Sequence, residues 1–121
     1  MTDQDPSRAI TDIDMAKLAK AIEHFRTLDK EIPAQVIATF LYVATHDDCN
    51  KIDLEKALAF SSASGSRNTD WLSAYHRLNK PGLGLIIKYR DPNNRRRQVL
   101  QLSPKGRILV QQLKKILYSD Y

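Results

Sequence analysis

Two short extended segments near the C-terminal end, joined by a polar turn, restrict the folds open to this chain. LIIKYR (85–90) and RQVLQL (97–102) are rich in β-branched residues or alternate between apolar and polar side chains, as strands do. The DPNN between them favours a turn, so the pair predicts a hairpin with a long polar tip. The segments on either side have helical periodicity instead. A mainly helical chain with one small hairpin is therefore expected.

Four helices are predicted before the hairpin. The first covers about 12–29 with Thr11 as its N-cap, and the second has Pro33 in its first turn. Asp53 is predicted to cap a short third helix and Ser66 a fourth, with a turn at SSASGS. Apolar residues recur at helical spacing in all four: Met15, Leu18, Ile22 and Phe25; Val36, Ile37, Phe40, Leu41 and Ala44; Leu54, Ala57 and Leu58; Trp71, Leu72, Tyr75 and Leu78. Helices three and four form a helix-turn-helix.

A last helix follows the hairpin. Ser103 is an N-cap and Pro104 occupies the first helical position, where its missing N–H costs nothing. The apolar stripe of this helix is Ile108, Leu109, Leu113, Ile116 and Leu117. The order ααααββα is mainly α with a small β-hairpin, which is the winged helix-turn-helix architecture. We expect a single domain over 1–121, with a flexible start at 1–11, terminal helices at 12–31 and 103–121 that can dimerise, and the helix-turn-helix and wing at 33–102.

The basic charge is concentrated in the second half of the chain. The net charge is +5 overall, but residues 1–60 carry 7 Lys/Arg against 11 Asp/Glu, and residues 61–121 carry 12 against 3. A one-sided basic field attracts polyanions, because neutralised phosphates release condensed counterions. The polar opening MTDQDPSR has no secretory core, and no apolar run is long enough to span a bilayer. Nucleic acid is the expected partner and the cytoplasm the expected location.

No catalytic, metal or cofactor site is predicted. Cys49 is the single cysteine, so it has no partner for a disulfide within the chain, and we expect a packed or surface thiol rather than an oxidation sensor. The three histidines share no metal-ligand spacing. Asp47, Asp48 and Asp53 lie around a loop and a helix cap. Because no nucleophile, base and orienting group can be assembled, an enzyme is disfavoured.

The segment GLIIKYRDPNNRRRQVLQLSPKGRILV (84–110) resembles the MarR family of winged-helix regulators, and the likeness extends over roughly 33–117. It has the family's Gly-Leu, basic strand, Asp-Pro turn, paired arginines, alternating strand and Ser/Thr-Pro-x-Gly-Arg helix start, in that order. Where the family usually has an acidic residue before the wing arginines, this chain has Asn93 and Asn94. That difference argues against an ion pair within the wing.

The candidate DNA-binding residues fall on the fourth helix and on the wing. If Trp71 and Leu72 face inward, the opposite face of the helix carries Ser66, Thr69, Ser73, Arg77 and Lys80. Arg67 and Asn68 lie in the first turn, and Arg67 is the preferred candidate for a guanine contact. The wing candidates are Arg90, Asn94, Arg95, Arg96 and Arg97. The resemblance implies that one or two wing arginines enter the minor groove and the others meet phosphates.

Two functions are compatible with these features. The first is a sequence-specific transcriptional regulator of bacterial or bacteriophage type that binds double-stranded DNA as a homodimer on a palindrome-like site. The alternative is a winged-helix interaction module whose basic wing docks an acidic protein and never touches DNA. Binding to random duplex separates the two, because phosphate contacts weaken steeply with salt. No residue pattern marks a pocket for a small-molecule effector.

Overall fold

The computed structural model describes residues 9–74 and 81–120 of the chain. Five helices and a three-stranded antiparallel sheet make up the described parts. In chain order the elements are α1 (Ile13–Leu28), α2 (Ala34–Thr45), β1 (Cys49–Asn50), α3 (Lys51–Leu58), α4 (Ser62–Leu72), β2 (Ile86–Asp91), β3 (Asn94–Leu102) and α5 (Pro104–Tyr118). The predicted mainly helical winged helix-turn-helix is confirmed, with a third short strand added to the hairpin.

The N-caps of α1 and α3 lie close to the predicted residues but are not those residues. The carboxylate of Asp12, rather than the hydroxyl of Thr11, accepts the amide hydrogen of Met15 at 3.1 Å. At α3 the side-chain oxygen of Asn50 accepts the amide hydrogen of Asp53 at 2.9 Å. Asp53 is thus a first-turn acid rather than a cap, and its charge faces the positive end of the helix dipole.

Helix α4 begins earlier than predicted. Ser61 is its N-cap and accepts the amide hydrogen of Ser64 at 3.1 Å, whereas Ser66 lies inside the helix. The helix ends at Leu72, where Ser73 has an extended backbone and its N–H bonds back to the carbonyl of Thr69. The predicted SSASGS turn is therefore mostly helical. Two further predicted inward residues of this helix, Tyr75 and Leu78, lie outside the described residues.

Prolines stand at the starts of α2 and α5. Pro33 is the N-cap residue of α2, just outside the helix rather than within its first turn. Pro104 is the first residue of α5, as predicted, and the hydroxyl of Ser103 accepts the amide hydrogen of Gly106 at 3.0 Å. The same hydroxyl donates to the carbonyl of Gly84 at 2.6 Å. The Ser-Pro start of α5 is therefore also tied to the segment that leads into β2.

Close packing requires the glycine of the Ser-Pro-Lys-Gly segment, Gly106. A Cβ at this position would collide with the carbonyl oxygen of Leu85 and approach the side chain of Leu102. The first turn of α5 can therefore lie directly against the backbone at the base of the wing only because residue 106 has no side chain.

The sheet joins the wing to the helix-turn-helix. Its order is β1-β3-β2, and both pairings are antiparallel. In β1, Cys49 pairs with Leu100 and Asn50 with Val99, immediately before α3 begins. The hairpin tip is shorter than predicted, since Asp91 pairs with Asn94 and leaves a two-residue turn at 92–93. An irregularity in the pairing lies between Arg90 and Asp91.

The core lies where α1, α2, α3, α4, β3 and α5 meet. Phe25 and Phe40 pack edge to face with ring centroids 5.8 Å apart. The other buried residues of this core cluster are Ala21, Val36, Val43, Cys49, Leu54, Leu72, Leu85, Ile86, Leu100, Leu109 and Leu113. One or more residues of each predicted apolar stripe are in this set. No helix within 9–74 or 81–120 combines the length and the apolar character that crossing a membrane requires.

Candidate nucleic-acid interface

The two helices of the helix-turn-helix are held together by a partly buried lysine. Lys51 of α3, 9% exposed, donates to the carboxylate of Glu55 at 2.5 Å and to the carbonyl of Ser62 at 3.3 Å. Ala59 ends α3 in a left-handed conformation with φ of 55°. Gly65 lies against Glu55 so closely that a Cβ there would overlap its side chain. These contacts fix the angle at which α4 leaves the turn.

The face of α4 that packs inward is polar as well as apolar. Gly65, Asn68, Thr69 and Leu72 are the buried residues of the helix. The amide of Asn68 donates to the side-chain oxygen of Gln35 at 3.3 Å, and the hydroxyl of Thr69 donates to the carbonyl of Gly65 at 2.8 Å. The prediction that Thr69 faces outward is therefore wrong, and Asn68 is buried too. Their polar atoms find partners within the protein, which is what burial of such groups requires.

The other predicted DNA-binding residues of α4 differ in their exposure. Arg67 is exposed and its guanidinium donates to the hydroxyl of Ser64 at 3.1 Å. Ser66 is half-buried, and Ser73 is the C-cap residue, whose hydroxyl donates to the carbonyl of Asp70 at 2.9 Å. Arg77, like Lys80, lies outside the described residues. Arg67 is thus the predicted reader that the structure places on the open surface of this helix.

The wing presents arginines around its tip. Arg90, Asn94, Arg95 and Arg96 are exposed. The guanidinium of Arg90 donates to the carbonyl of Arg95 at 2.8 Å, which links the two strands across the hairpin. The side-chain oxygen of Asn94 accepts the amide hydrogen of Arg96 at 3.2 Å. Asn94 therefore shapes the backbone that carries the arginines.

Arg97 differs from the other wing arginines because acidic groups hold it. Its guanidinium donates to Asp91 at 3.1 Å and to the carbonyl of Asp48 at 3.1 Å, and it lies 3.4 Å from the Asp48 carboxylate. A hydrogen bond from the backbone N–H of Asn93, together with the Arg97 contact, lowers the pKa of Asp91. The wing thus has an internal ion pair after all, supplied by a residue other than the one at which the family has its acid.

A lysine that is not among the predicted site residues joins the wing to α4. Lys88 of β2 lies at an inward-facing position of its strand and donates to the carboxylate of Asp70 at 2.5 Å and to the hydroxyl of Thr69 at 3.0 Å. The alternation of LIIKYR places residue 88 on the same face as Ile86, which is buried, and that periodicity is the signal that could have found it. The wing and α4 are therefore connected through side chains.

Cys49 is a buried structural thiol. It is 4% exposed in β1, and burial together with the nearby Asp53 carboxylate raises its pKa to about 11. A thiol in that environment stays protonated and unreactive at neutral pH. Within the described ranges, no group of His, Cys, Asp and Glu side chains is placed to hold a metal ion.

Solved structures share this arrangement of helices and wing. A mutant of S. aureus MepR bound to an oligodeoxyribonucleotide is 26% identical to this chain, with a TM-score of 0.65 over 86% of this chain and 70% of that one. The chain therefore has the winged-helix fold of the MarR family of regulators. The S. aureus MepR-DNA complex shares the MarR fold at 24% identity and a TM-score of 0.63, over 84% of this chain and 73% of that one.

A more distant structure extends the likeness. A mutant MarR from E. coli complexed with operator DNA has a TM-score of 0.63 at 18% identity, over 89% of this chain and 70% of that one. Neither a family model nor a curated protein sequence matches this chain. The MarR fold is thus recognised here through three-dimensional structure and through the wing segment.

Proposed function

We propose that this chain is a DNA-binding transcriptional regulator that inserts α4 into the major groove and places its wing against the backbone and minor groove. The observation that carries the proposal is the set of exposed arginines on both elements: Arg67 on α4, and Arg90, Arg95 and Arg96 on the wing. Similar structures with this fold have been crystallised with an oligodeoxyribonucleotide or with operator DNA, which supports the same use here.

The charges on the two elements support different roles in binding. A guanidinium near the start of a recognition helix can form a bidentate contact with a guanine edge in the major groove, and we assign that role to Arg67. The wing arginines lie on β2 and β3 close to the two-residue turn, where they can reach phosphates or a narrow minor groove. Arg97 has its charge matched by Asp91 and Asp48, so we assign it to holding the wing rather than to DNA.

A homodimer is part of the proposal. Apolar side chains on the terminal helices remain exposed although the predicted stripes also contribute Phe25 and Leu113 to the core. The exposed ones are Ile13, Met15, Leu18 and Ile22 on α1, and Ile108, Leu117 and Tyr118 on α5. A two-fold pairing of these helices would bury that surface and present two recognition helices to a symmetric site.

A salt titration tests whether the chain binds DNA at all. The affinity for a random-sequence duplex is measured at several salt concentrations, with binding followed by fluorescence anisotropy. A DNA-binding wing and helix predict a straight line of negative slope in log affinity against log salt, at about 0.9 for each phosphate neutralised. Absence of duplex binding at low salt would contradict the proposal and would favour the protein-interaction module.

A further inference from the structure

The base of the wing is attached to the end of α4 by backbone hydrogen bonds. The N–H groups of residues 83, 84 and 85 donate to the carbonyls of Trp71, Ser73 and Leu72 at 2.9, 3.1 and 2.7 Å. These bonds fix where the wing begins. They fix only the base of β2; β3 is held separately, by its pairing with β1 at Val99 and Leu100 and by the contacts of Arg97 with Asp48.

Lys88 attaches β2 to α4 a second time, farther along the strand. It lies three residues beyond Leu85, which is about 10 Å along a strand. Its ammonium reaches back to α4, to the Asp70 carboxylate and the Thr69 hydroxyl. The Lys88 and Asp70 side chains are only 17% and 22% exposed, so water and salt screen the pair less than they screen a surface pair.

The hydrogen bonds around Thr69 form a directed chain. Thr69 is fully buried, and its hydroxyl donates its hydrogen to the carbonyl of Gly65. That leaves the oxygen lone pairs to accept from Lys88. The ammonium is thereby linked through Thr69 to the interior of α4, one turn nearer to the N-terminal end that faces DNA in the proposed complex.

We propose that Lys88, through Asp70 and Thr69, is a positioning residue that sets the angle between the wing and the recognition helix. The inference rests on the proposed function, since the angle matters when both elements engage one duplex. Two rigidly connected contact surfaces bind together without a further loss of conformational freedom, whereas a mobile wing must be ordered at each binding event. Thr69, predicted from sequence to read DNA, serves the attachment instead.

The first experiment measures the angle without DNA. Spin labels are placed on exposed positions of the two elements by Ala63→Cys on α4 and Asn93→Cys at the wing turn, while the buried Cys49 stays unlabelled. We expect a narrow distribution of label distances in this parent protein and a broader or shifted one after Lys88→Met, which keeps the apolar stem. Lys88→Arg should restore much of the narrow distribution. An unchanged distribution in Lys88→Met would overturn the inference, whatever the DNA result.

The second experiment compares DNA binding after substitution of Asp70 and of Lys88, because charge alone predicts opposite effects of the two substitutions. Asp70→Ala removes a negative charge from the DNA-facing helix, so charge alone predicts tighter DNA binding. Loss of the attachment predicts weaker binding instead. We expect both Asp70→Ala and Lys88→Met to lose on the order of tenfold in affinity for a duplex selected from a random pool. The double variant should bind DNA no more weakly than the weaker-binding of the two single variants, because both substitutions remove the same interaction.

The controls separate positioning from a lost phosphate contact. Lys30→Met removes a cation from the exposed connection between α1 and α2, outside the helices proposed to dimerise, and should leave affinity nearly unchanged. A direct phosphate contact by Lys88 would weaken selected and random duplexes equally and would make Asp70→Ala bind more tightly. That pattern overturns the inference but leaves the proposed function standing. If Lys88→Met does not fold, as judged by thermal melting, Asp70→Ala carries both experiments; failure of the parent to bind duplex refutes the proposed function alone.

Discussion

Replacing Arg95 and Arg96 together by alanine should weaken DNA binding without disturbing the wing. Both side chains are exposed, and the hydrogen bonds at these positions use backbone atoms that alanine keeps. The carbonyl of Arg95 accepts from Arg90, and the N–H of Arg96 donates to Asn94. Thermal stability should therefore stay close to that of the parent, since substitutions at such surface positions usually change it by about 0.5 kcal/mol or less.

The size of the binding effect follows from the number of charges removed. If both guanidinium groups neutralise phosphates, the slope of log affinity against log salt falls by up to about 1.8, at about 0.9 for each. Over a rise in salt from about 50 to 200 mM, the ratio of parent to mutant affinity should then shrink about twelvefold. A smaller change would mean that at least one arginine reads the minor groove or points into solvent.

Anisotropy titrations of parent and mutant on one duplex at matched salt provide the measurement. The matched control is Lys114→Ala with Lys115→Ala, which removes the same charge from an exposed part of α5 and is used once sedimentation shows that it keeps the oligomeric state of the parent. Equal affinities and equal slopes for Arg95→Ala/Arg96→Ala and the parent would refute the assignment of the wing to DNA. Equal losses in the wing mutant and the control would show that net charge, rather than the wing, governs binding.

Three further predictions concern α4, the terminal helices and the cysteine. Arg67→Ala should cost about 1 to 3 kcal/mol on the preferred site and flatten discrimination at one base pair per half-site, as measured against all single-base variants; an equal loss on every variant would make Arg67 a phosphate contact. Leu18→Glu, at a position 51% exposed on α1, should convert a dimer into a monomer in analytical sedimentation, and a strictly monomeric parent at micromolar concentration would remove the dimer. The pKa of Cys49 is raised to about 11, so only about one thiol in a thousand is ionised at pH 8. Iodoacetamide should therefore react slowly with Cys49 until the protein is unfolded. Rapid alkylation of the folded protein would contradict the buried placement.

Local signals predicted the wing and the start of α5. Ser103 and Pro104 leave no nearby alternative for the beginning of a helix, and the alternation in the strands is clear in the sequence. The N-caps of the earlier helices were harder to place because several polar residues compete in each case. Asn50 caps α3 because Cys49 and Asn50 pair with β3, some fifty residues away in the chain, and α3 can begin only where that pairing ends.

The orientation of α4 could not be predicted from apolar periodicity. Its buried face includes Asn68 and Thr69, whose partners Gln35 and Lys88 are remote in sequence. A rule that places apolar residues inside and polar residues outside assigns such positions to the surface. Lys88 differs, because the alternation of β2 places it on the inward face, but its acidic partner Asp70 on α4 could not be predicted from the sequence.

Selection of bound sequences from a random duplex pool tests the central claim most directly. A dimeric regulator that reads bases through α4 predicts enrichment of a two-fold symmetric site with half-sites about one helical turn apart, near 10 base pairs. Arg67 should correspond to a guanine preference at one position in each half-site. A pool that shows no enrichment over its input after repeated rounds would contradict sequence-specific DNA recognition by this chain.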